Sequence, residues 1–349
     1  YICKLWSSPN PPLDRVASVV RSSAGVLALL ASFERGDGAP VWAEADPVLA
    51  VEAARITGLL HTLQETELRG GAVLEPVRPP VSISYTDLKE FDLCPRCWYL
   101  RRRLKLPEAP GASQVVGRVA HAVLERFVAD RMTAEAEADE SLFHDATTDP
   151  AARLRELCNR FFHAEWPADQ PIDYDQLDTV QAQLARYAEH LHDDAADTLL
   201  VEGNAAFTVR VGGHDHTLRA KIDRVDRAPD GSFRIIDYKT GRETKSKLSP
   251  KESDLQLGVY AMAARSYFGA GQGDEPGAHA DGSLPGPLPG TAEYWILSTG
   301  NRGVISLEEL ALREARTLKT IEGVIEKMVA GVYERGSKCW GLCDILGEF

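Results

Sequence analysis

The feature that most constrains the fold is a change of hydrophobic period near residue 200. Upstream of it, apolar residues recur at helical spacing, whereas from Ala206 to Tyr238 they alternate with polar residues as in strands. Turn residues at 212–213 and 228–231 divide this alternating region. The predicted strands cover residues 206–211, 217–226 and 233–238. The pattern therefore predicts a three-stranded meander.

Helical patterns lie on both sides of the meander. Helical spacing covers residues 113–130 and 150–198 and returns at 254–268, and a fourth apolar strand is predicted at 291–298. A closing helix is marked by one apolar face, formed by Leu318, Ile321, Ile325 and Met328. This order of elements predicts an α/β fold with a mixed sheet covered by helices on both faces.

The chain is expected to have two parts that meet near residue 80. Residues 1–80 show helical spacing without recognisable chemistry, and a Gly- and Pro-rich connector ends this segment. Within the second part, residues 81–349, the Gly- and Pro-rich segment 269–290 is predicted to be a flexible loop. Because the amino end lacks an initiator Met, we expect a fragment of a longer protein.

Charge is distributed unevenly along the chain. The formal net charge is −13, and residues 130–200 hold 17 Asp and Glu against 5 Arg, so the remainder is nearly neutral. Basic clusters at 101–105 and 239–251 could follow a phosphate backbone or form ordinary solvated loops. No apolar run approaches the ~20 residues that cross a bilayer, and no secretory pattern opens the chain. We therefore expect a cytoplasmic protein without a membrane partner.

Charged residues occur inside the second predicted hairpin, where apolar residues are expected. Asp223 lies in one strand, and Asp237 and Lys239 end the next, where the strand period places them on one face. A symmetric turn at 229–230 sets Asp223 opposite Ile236, whereas a bulge or an odd-numbered loop would set it beside Asp237. Two adjacent carboxylates beside an amine predict a divalent-metal site. The alternative is a surface hairpin with an ordinary ion pair.

These residues, together with motifs before and after them, resemble the PD-(D/E)XK nucleases, specifically the RecB-like branch. Asp223 matches the first acidic motif, and residues 237–239 match the (D/E)-x-K motif. Residues 117–121 are similar to the family's G-x-x-x-H helix, and residues 256–260 to its Q-L-x-x-Y helix. Residues 82–95 match the opening helix. Covering about residues 80–345, the resemblance implies a restriction-endonuclease-like fold and metal-dependent phosphodiester hydrolysis.

The resemblance also implies roles for individual residues. The ligands of a Mg²⁺ or Mn²⁺ ion would be His121, Asp223, Asp237 and the backbone carbonyl of Tyr238. Lys239 would orient the attacking water and offset the charge that develops in the transition state. Gln256 and Tyr260 would lie over the active site, although their spacing also fits ordinary core packing on one helical face.

Four of the six cysteines form two pairs, one at each end of the region of resemblance: Cys94, Cys97, Cys339 and Cys343. In a cytoplasmic protein such spacing indicates metal more than disulfide. Iron–sulfur members of the branch place one Cys before the nuclease core and a C-x2-C-x5-C triple after it. This chain departs from that pattern, since its spacing is x3 and the last expected Cys falls on Phe349. A [4Fe–4S] cluster, zinc and no metal all stay open.

The resemblance implies a DNA nuclease, with exonuclease activity favoured, that acts with a helicase in repair or recombination. The expected partners are DNA, in particular a single-stranded end, and a helicase motor in cis or as a partner subunit. The helical segment 1–80 would be the tail of a preceding helicase-type domain, and the location would be cytoplasmic at the nucleoid. Because no G-x-x-x-x-G-K-[ST] loop occurs, any motor lies outside this chain. The alternatives are a non-catalytic DNA-binding or structural module and a stand-alone CRISPR-adaptation-type exonuclease.

Overall fold

The computed structural model describes residues 75–103, 112–138, 149–166, 172–269, 288–337 and 339 of the 349-residue chain. Nearly all of the helical segment predicted at 1–80 lies outside the described residues, as do Cys343 and most of the loop predicted at 269–290.

Contacts divide the chain into two compact units. Described residues of the smaller unit are 75–79, 86–103, 323–337 and 339. Described residues of the larger unit are 80–85, 112–138, 149–166, 172–269 and 288–322. The sheet belongs to the larger unit, and three of the paired cysteines belong to the smaller one.

A six-stranded mixed sheet lies at the centre of the larger unit. Its strands are β1 (Ser82–Ser84), β2 (Asp197–Val211), β3 (His214–Arg227), β4 (Phe233–Lys239), β5 (Gly290–Ile296) and β6 (Asn301–Ser306). β3 is antiparallel to β2 and β4, β5 is parallel to β4, and β6 is antiparallel to β5. The predicted meander and fourth strand are confirmed. The short parallel strand β1 and the edge strand β6 were not predicted.

The helices of the described residues are α1 (Tyr85–Leu93), α2 (Pro95–Arg102), α3 (Ala112–Ala138), α4 (Pro150–Glu165), α5 (Tyr174–Arg186), α6 (Lys245–Leu248), α7 (Leu255–Gly269), α8 (Leu307–Ala311) and α9 (Glu314–Ala330). The smaller unit contains α2 and nearly all of α1, and α9 has residues in both units. Within the larger unit, helices α3 to α8 flank the sheet, as the sequence predicts. Apolar side chains of α3, α4 and α5 form one core cluster with Ile236, Tyr238 and Trp295 of the sheet. None of the helices in the described residues is long and apolar enough to cross a membrane.

The predicted helical block 150–198 is wrong in detail. Its described residues form two α-helices, α4 and α5, and Asp173 caps the second one by accepting the Gln176 N–H. The second helix ends in a π turn, Tyr187–Leu191, and β2 already begins at Asp197. The fold class is unaffected by this difference.

The sheet separates into two branches at the middle of β3. β2 occupies one edge of β3 over its whole length, so β1 and β4 must both pair with the other edge. β1 pairs with residues 217–219 and β4 with residues 224–227. β5 pairs with β4 along its whole length, from Phe233 to Lys239, so beyond Ile236 only the β5 edge of β4 is paired with a strand of the described residues. Asp223 and Asp237 therefore lie where β3 and β4 separate, and the backbone N–H and C=O groups there need hydrogen-bond partners other than the neighbouring strand.

The register of the β3–β4 hairpin differs by one residue from that of a symmetric turn. Its last pair joins Arg224 to Ile236, so one step farther along Asp223 faces Asp237. The prediction that Asp223 lies opposite Ile236 is therefore wrong. The cause is the odd-numbered loop at 228–232, which is one of the two alternatives stated for the sequence.

Two of the charges embedded in β3 belong to the core rather than to the site. Arg224 Nε donates to Asp226 Oδ1 at 2.6 Å, and another guanidinium N–H donates to the Tyr187 hydroxyl at 3.1 Å. The guanidinium also lies 5.6 Å from the ring centre of Trp295. Because strand side chains alternate, this buried ion pair occupies the face opposite to Asp223.

Candidate active site

Two buried carboxylates meet where β3 and β4 separate. Asp223 is 5% exposed and Asp237 is 3% exposed. Asp223 Oδ2 accepts the Tyr238 N–H at 2.7 Å, so a side chain satisfies a backbone group that the parting strands leave behind. Burial, followed by the charge of Asp237, raises the pKa of the Asp223 carboxyl above its ordinary value. A cation between these carboxylates would relieve their repulsion.

His121 approaches the carboxylates from α3. Its Nδ1 lies 3.1 Å from Glu202 Oε1 and 3.6 Å from Asp223 Oδ1. Burial lowers the pKa of His121, but the hydrogen bond with Glu202 and the charges of Asp223, Glu202 and Asp237 outweigh burial and raise that pKa to about 9. Without a metal, the imidazole therefore holds a proton at neutral pH.

Glu202 belongs to this site but is missing from the sequence prediction. It lies in β2 with a φ of 45°, a left-handed conformation that is uncommon for a residue other than glycine. The next residue, Gly203, has a steric reason to be glycine, because a Cβ added there would collide with the Leu200 side chain. Glu202 Oε2 lies 2.7 Å from Lys221 Nζ. Backbone strain beside a buried carboxylate is typical of functional sites.

The charge state of Glu202 follows from its partners. Burial opposes ionisation, but hydrogen bonds from His121 and Lys221 outweigh it and hold the pKa of Glu202 below its ordinary value. Glu202 is therefore an anion inside the site. No local signal in the sequence identifies it, since Glu202 precedes the first predicted strand, which begins at residue 206.

The chemistry of the donor set fits the divalent ion that the resemblance implies. His121, Glu202 and Asp223 each offer one ligand atom, and these atoms all lie within 4.8 Å of one another. Asp237 adds a third acidic group, close enough for its charge to raise the pKa of Asp223. Carboxylate oxygens with one imidazole nitrogen suit Mg²⁺ or Mn²⁺. Tyr238 enters through its N–H, and the ligand role of its carbonyl stays a prediction.

Lys239 and α7 complete the site around Asp237. Lys239 Nζ lies 2.5 Å from Asp237 Oδ2 and donates to Gln256 Oε1 at 2.8 Å. Gln256 Nε2 donates to Asp237 Oδ1 at 2.6 Å and to the Tyr260 hydroxyl at 3.1 Å. Burial, with the charge of Asp237, raises the pKa of Tyr260, so this hydroxyl stays protonated. Gln256 thus contacts Asp237 and Lys239 directly, and Tyr260 is connected to them through Gln256.

We expect the affinity for metal to rise with pH. A coordinating imidazole must be unprotonated, so a bound ion displaces the His121 proton, and the raised pKa of Asp223 acts in the same direction. Mn²⁺ affinity should increase by about ten- to 100-fold per pH unit between about pH 6 and 8, and less steeply up to about pH 9. Calorimetry in buffers of different ionisation enthalpy should detect release of about one to two protons at neutral pH. An affinity that stays constant over this range would contradict the expectation.

Three of the four paired cysteines come together in the smaller unit. The Sγ atoms of Cys94, Cys97 and Cys339 all lie within 4.8 Å of one another, and all three residues are buried. Cys97 Sγ and Cys339 Sγ are 3.2 Å apart. Cys94 caps α2, and its Sγ accepts N–H bonds from Cys97 at 3.5 Å and from Gly336 at 3.3 Å. Cys343 lies outside the described residues.

One of the comparisons with known proteins identifies a superfamily. A family model described as the PD-(D/E)XK nuclease superfamily matches residues 82–345. No curated protein matches the chain. Among solved structures, one titled "Crystal structure of SSO0001" is 16% identical and covers 77% of this chain and 84% of that chain, with a TM-score of 0.30. A TM-score this low means that the likeness to that solved structure supports no conclusion about the present chain.

Proposed function

Since the chain belongs to the PD-(D/E)XK nuclease superfamily, we propose that it is a metal-dependent deoxyribonuclease of the RecB-like branch. One observation carries this proposal: three acidic groups, one imidazole and one ammonium converge where β3 and β4 part. Two adjacent buried carboxylates are unfavourable without a cation, so their presence indicates a site built around one.

The proposed ligands of Mg²⁺ or Mn²⁺ are His121, Glu202, Asp223 and Asp237. A bound ion would polarise the scissile phosphate and lower the pKa of the attacking water. Lys239 would orient this water and offset the negative charge that grows in the transition state. Gln256 fixes the position of Lys239, since its amide oxygen accepts from the ammonium while its amide nitrogen donates to Asp237. No covalent intermediate is needed.

Basic residues after β4 support DNA as the substrate. Arg242, Lys245 and Lys251 are exposed and follow Lys239 closely in the chain. Lys245 also begins α6. Such a cluster can contact the phosphates of a strand that enters the site, and phosphate contacts dominate the affinity of nucleic-acid binding. We propose a single-stranded DNA end as substrate and exonuclease action as the mode of cleavage.

The resemblance extends the proposal to a cellular role. We propose that the nuclease acts in DNA repair or recombination with a helicase motor, present in the same polypeptide or as a partner subunit. Because DNA is the proposed substrate, the corresponding location is the cytoplasm at the nucleoid. The iron–sulfur cluster that the resemblance implies is not part of this proposal.

The test is a cleavage assay with defined metals. Purified protein is incubated with end-labelled single-stranded and duplex DNA in Mg²⁺ or Mn²⁺, with and without EDTA. We expect cleavage that EDTA abolishes and added Mn²⁺ restores. Circular single-stranded DNA is the matched control, because an exonuclease leaves it intact. DNA binding without cleavage under every metal would contradict the proposal and favour a non-catalytic binding module.

A further inference from the structure

We infer that Tyr294 is a positioning residue of the proposed nuclease, which holds the Lys239 ammonium through its ring and the start of α7 through its hydroxyl. The inference rests on the proposed function, because Lys239 is the residue that would orient the attacking water. The superfamily match assigns no role to Tyr294 or to Asp254, the residue to which its hydroxyl is bound.

The sheet places Tyr294 beside the site. β5 runs parallel to β4, and Tyr294 pairs with Asp237 in the register of these two strands. Paired residues of neighbouring strands project from the same face of a sheet, and Lys239, two residues after Asp237, projects from that face as well. The phenol ring therefore lies on the face of the sheet that carries the proposed catalytic groups.

The ring of Tyr294 attracts the ammonium without taking any of its hydrogen bonds. Lys239 Nζ lies 5.0 Å from the centre of this ring, within the range of a cation–π interaction. An ammonium has three N–H groups, and among the described residues Asp237 and Gln256 offer it acceptor oxygens. Two acceptors leave one N–H for the attacking water. A carboxylate or an amide in place of the ring could occupy that N–H.

The hydroxyl of Tyr294 connects β5 to the first turn of α7. It donates to Asp254 Oδ1 at 2.8 Å, and the same oxygen accepts the Leu257 N–H at 3.0 Å. An aspartate that accepts an N–H of the first turn is a helix cap. Gln256 lies within this capped turn. Through Asp254, the hydroxyl therefore fixes the helix end that presents Gln256 to Lys239.

Burial indicates that Tyr294 acts through Lys239 and not on the substrate itself. Tyr294 is 4% exposed, whereas the side chain of Lys239 is 20% exposed and is accessible to water. Burial, followed by the charges of Asp254 and Asp237, raises the pKa of Tyr294 above its ordinary value, so the hydroxyl remains a donor. A lysine has a long, flexible stem, so fixed neighbours are needed to keep its ammonium in one place.

Tyr294→Leu is expected to lower the single-turnover rate of cleavage at saturating DNA and Mg²⁺ by about 10- to 100-fold. The affinities for DNA and Mn²⁺ should stay unchanged, because Lys239 acts in the transition state. Tyr294→Phe keeps the ring and loses only the hydroxyl, so its rate should fall less, by about three- to tenfold. Tyr174→Leu is the matched control, because Tyr174 is 64% exposed on α5 and should leave the rate unchanged.

A double variant separates a positioning role from a structural one. If Tyr294 acts through Lys239, Tyr294→Leu in a Lys239→Ala background should change the remaining rate by less than about twofold. An equal loss in both backgrounds, or full activity of Tyr294→Leu, would overturn the inference and leave the proposed function intact. If the unaltered protein cleaves no DNA with any metal, the proposed function fails and the inference fails with it.

Nuclear magnetic resonance tests the contact without reference to cleavage. In protein with isotope-labelled lysine, the signal that Lys239→Ala removes belongs to Lys239. Its ε-protons should resonate upfield of those of exposed lysines, because the Tyr294 ring shields them, and should return to the common position in Tyr294→Leu. A Lys239 signal at the common position in the unaltered protein would contradict the inference, even where Tyr294→Leu fails to fold.

Discussion

Replacing Asp237 or Lys239 by alanine is expected to reduce DNA cleavage at saturating Mg²⁺ by at least about 1,000-fold. Asp237→Ala removes a carboxylate beside the proposed ion and the partner of the ammonium. Lys239→Ala removes the only cation that Gln256 positions within the described site. Neither change should unfold the protein, because loss of Asp237 also removes repulsion with Asp223. Single-turnover rates on end-labelled DNA measure the effect.

Matched controls separate this loss from general damage. Lys319 and Asp215 are exposed, so Lys319→Ala and Asp215→Asn should keep the rate of the unaltered protein. Circular dichroism and the melting temperature verify the fold of each variant, and binding to labelled DNA shows that the substrate is still recognised. Undiminished cleavage by both active-site variants would refute the assignment of the site.

Glu202→Gln is expected to weaken Mn²⁺ binding by about 10- to 100-fold. The side chain keeps its shape but loses its charge, so it can no longer serve as an anionic ligand while holding Lys221. Cleavage should therefore need more metal and recover in part when metal is raised. Electron paramagnetic resonance of free Mn²⁺ gives the affinity without reference to cleavage.

The control for this prediction lies on α3. Glu125 is exposed one turn after His121, so Glu125→Gln makes the same chemical change outside the ligand group and should leave Mn²⁺ affinity unchanged. If Glu202 serves only the fold, Glu202→Gln will lower the melting temperature without changing Mn²⁺ affinity. That result would remove Glu202 from the site.

The sequence predicts those parts of the fold whose signals are local. Alternation within a few residues marks β2, β3 and β4, and apolar spacing marks α7 and α9. β1 cannot be predicted from a local pattern, because it has only three residues and its partners in β3, residues 217–219, are distant in sequence. β6 begins with polar residues, and its Gly303 lies against the backbone of Lys247, a contact that only the folded chain reveals.

The site follows the same division between local and distant signals. Asp223, Asp237 and Lys239 could be predicted because charges inside apolar strands are rare. The same pattern also includes Arg224 and Asp226, whose ion pair lies on the other face of β3 beside Tyr187. In the sequence, only the alternation of strand side chains separates these two residues from Asp223. Glu202 could not be predicted with them, because its place in the site depends on a left-handed residue and on pairing with β3.

The loop at 228–232 lies outside the candidate site, yet its length has a consequence for how this protein can change in evolution. Adding or deleting one residue would shift the register of the hairpin by one, setting Asp223 opposite a residue whose side chain belongs in the apolar core. The hairpin would then lose either its core packing or its pair of adjacent carboxylates. Substitutions in this loop should be tolerated freely, whereas single-residue insertions and deletions should be absent among active relatives.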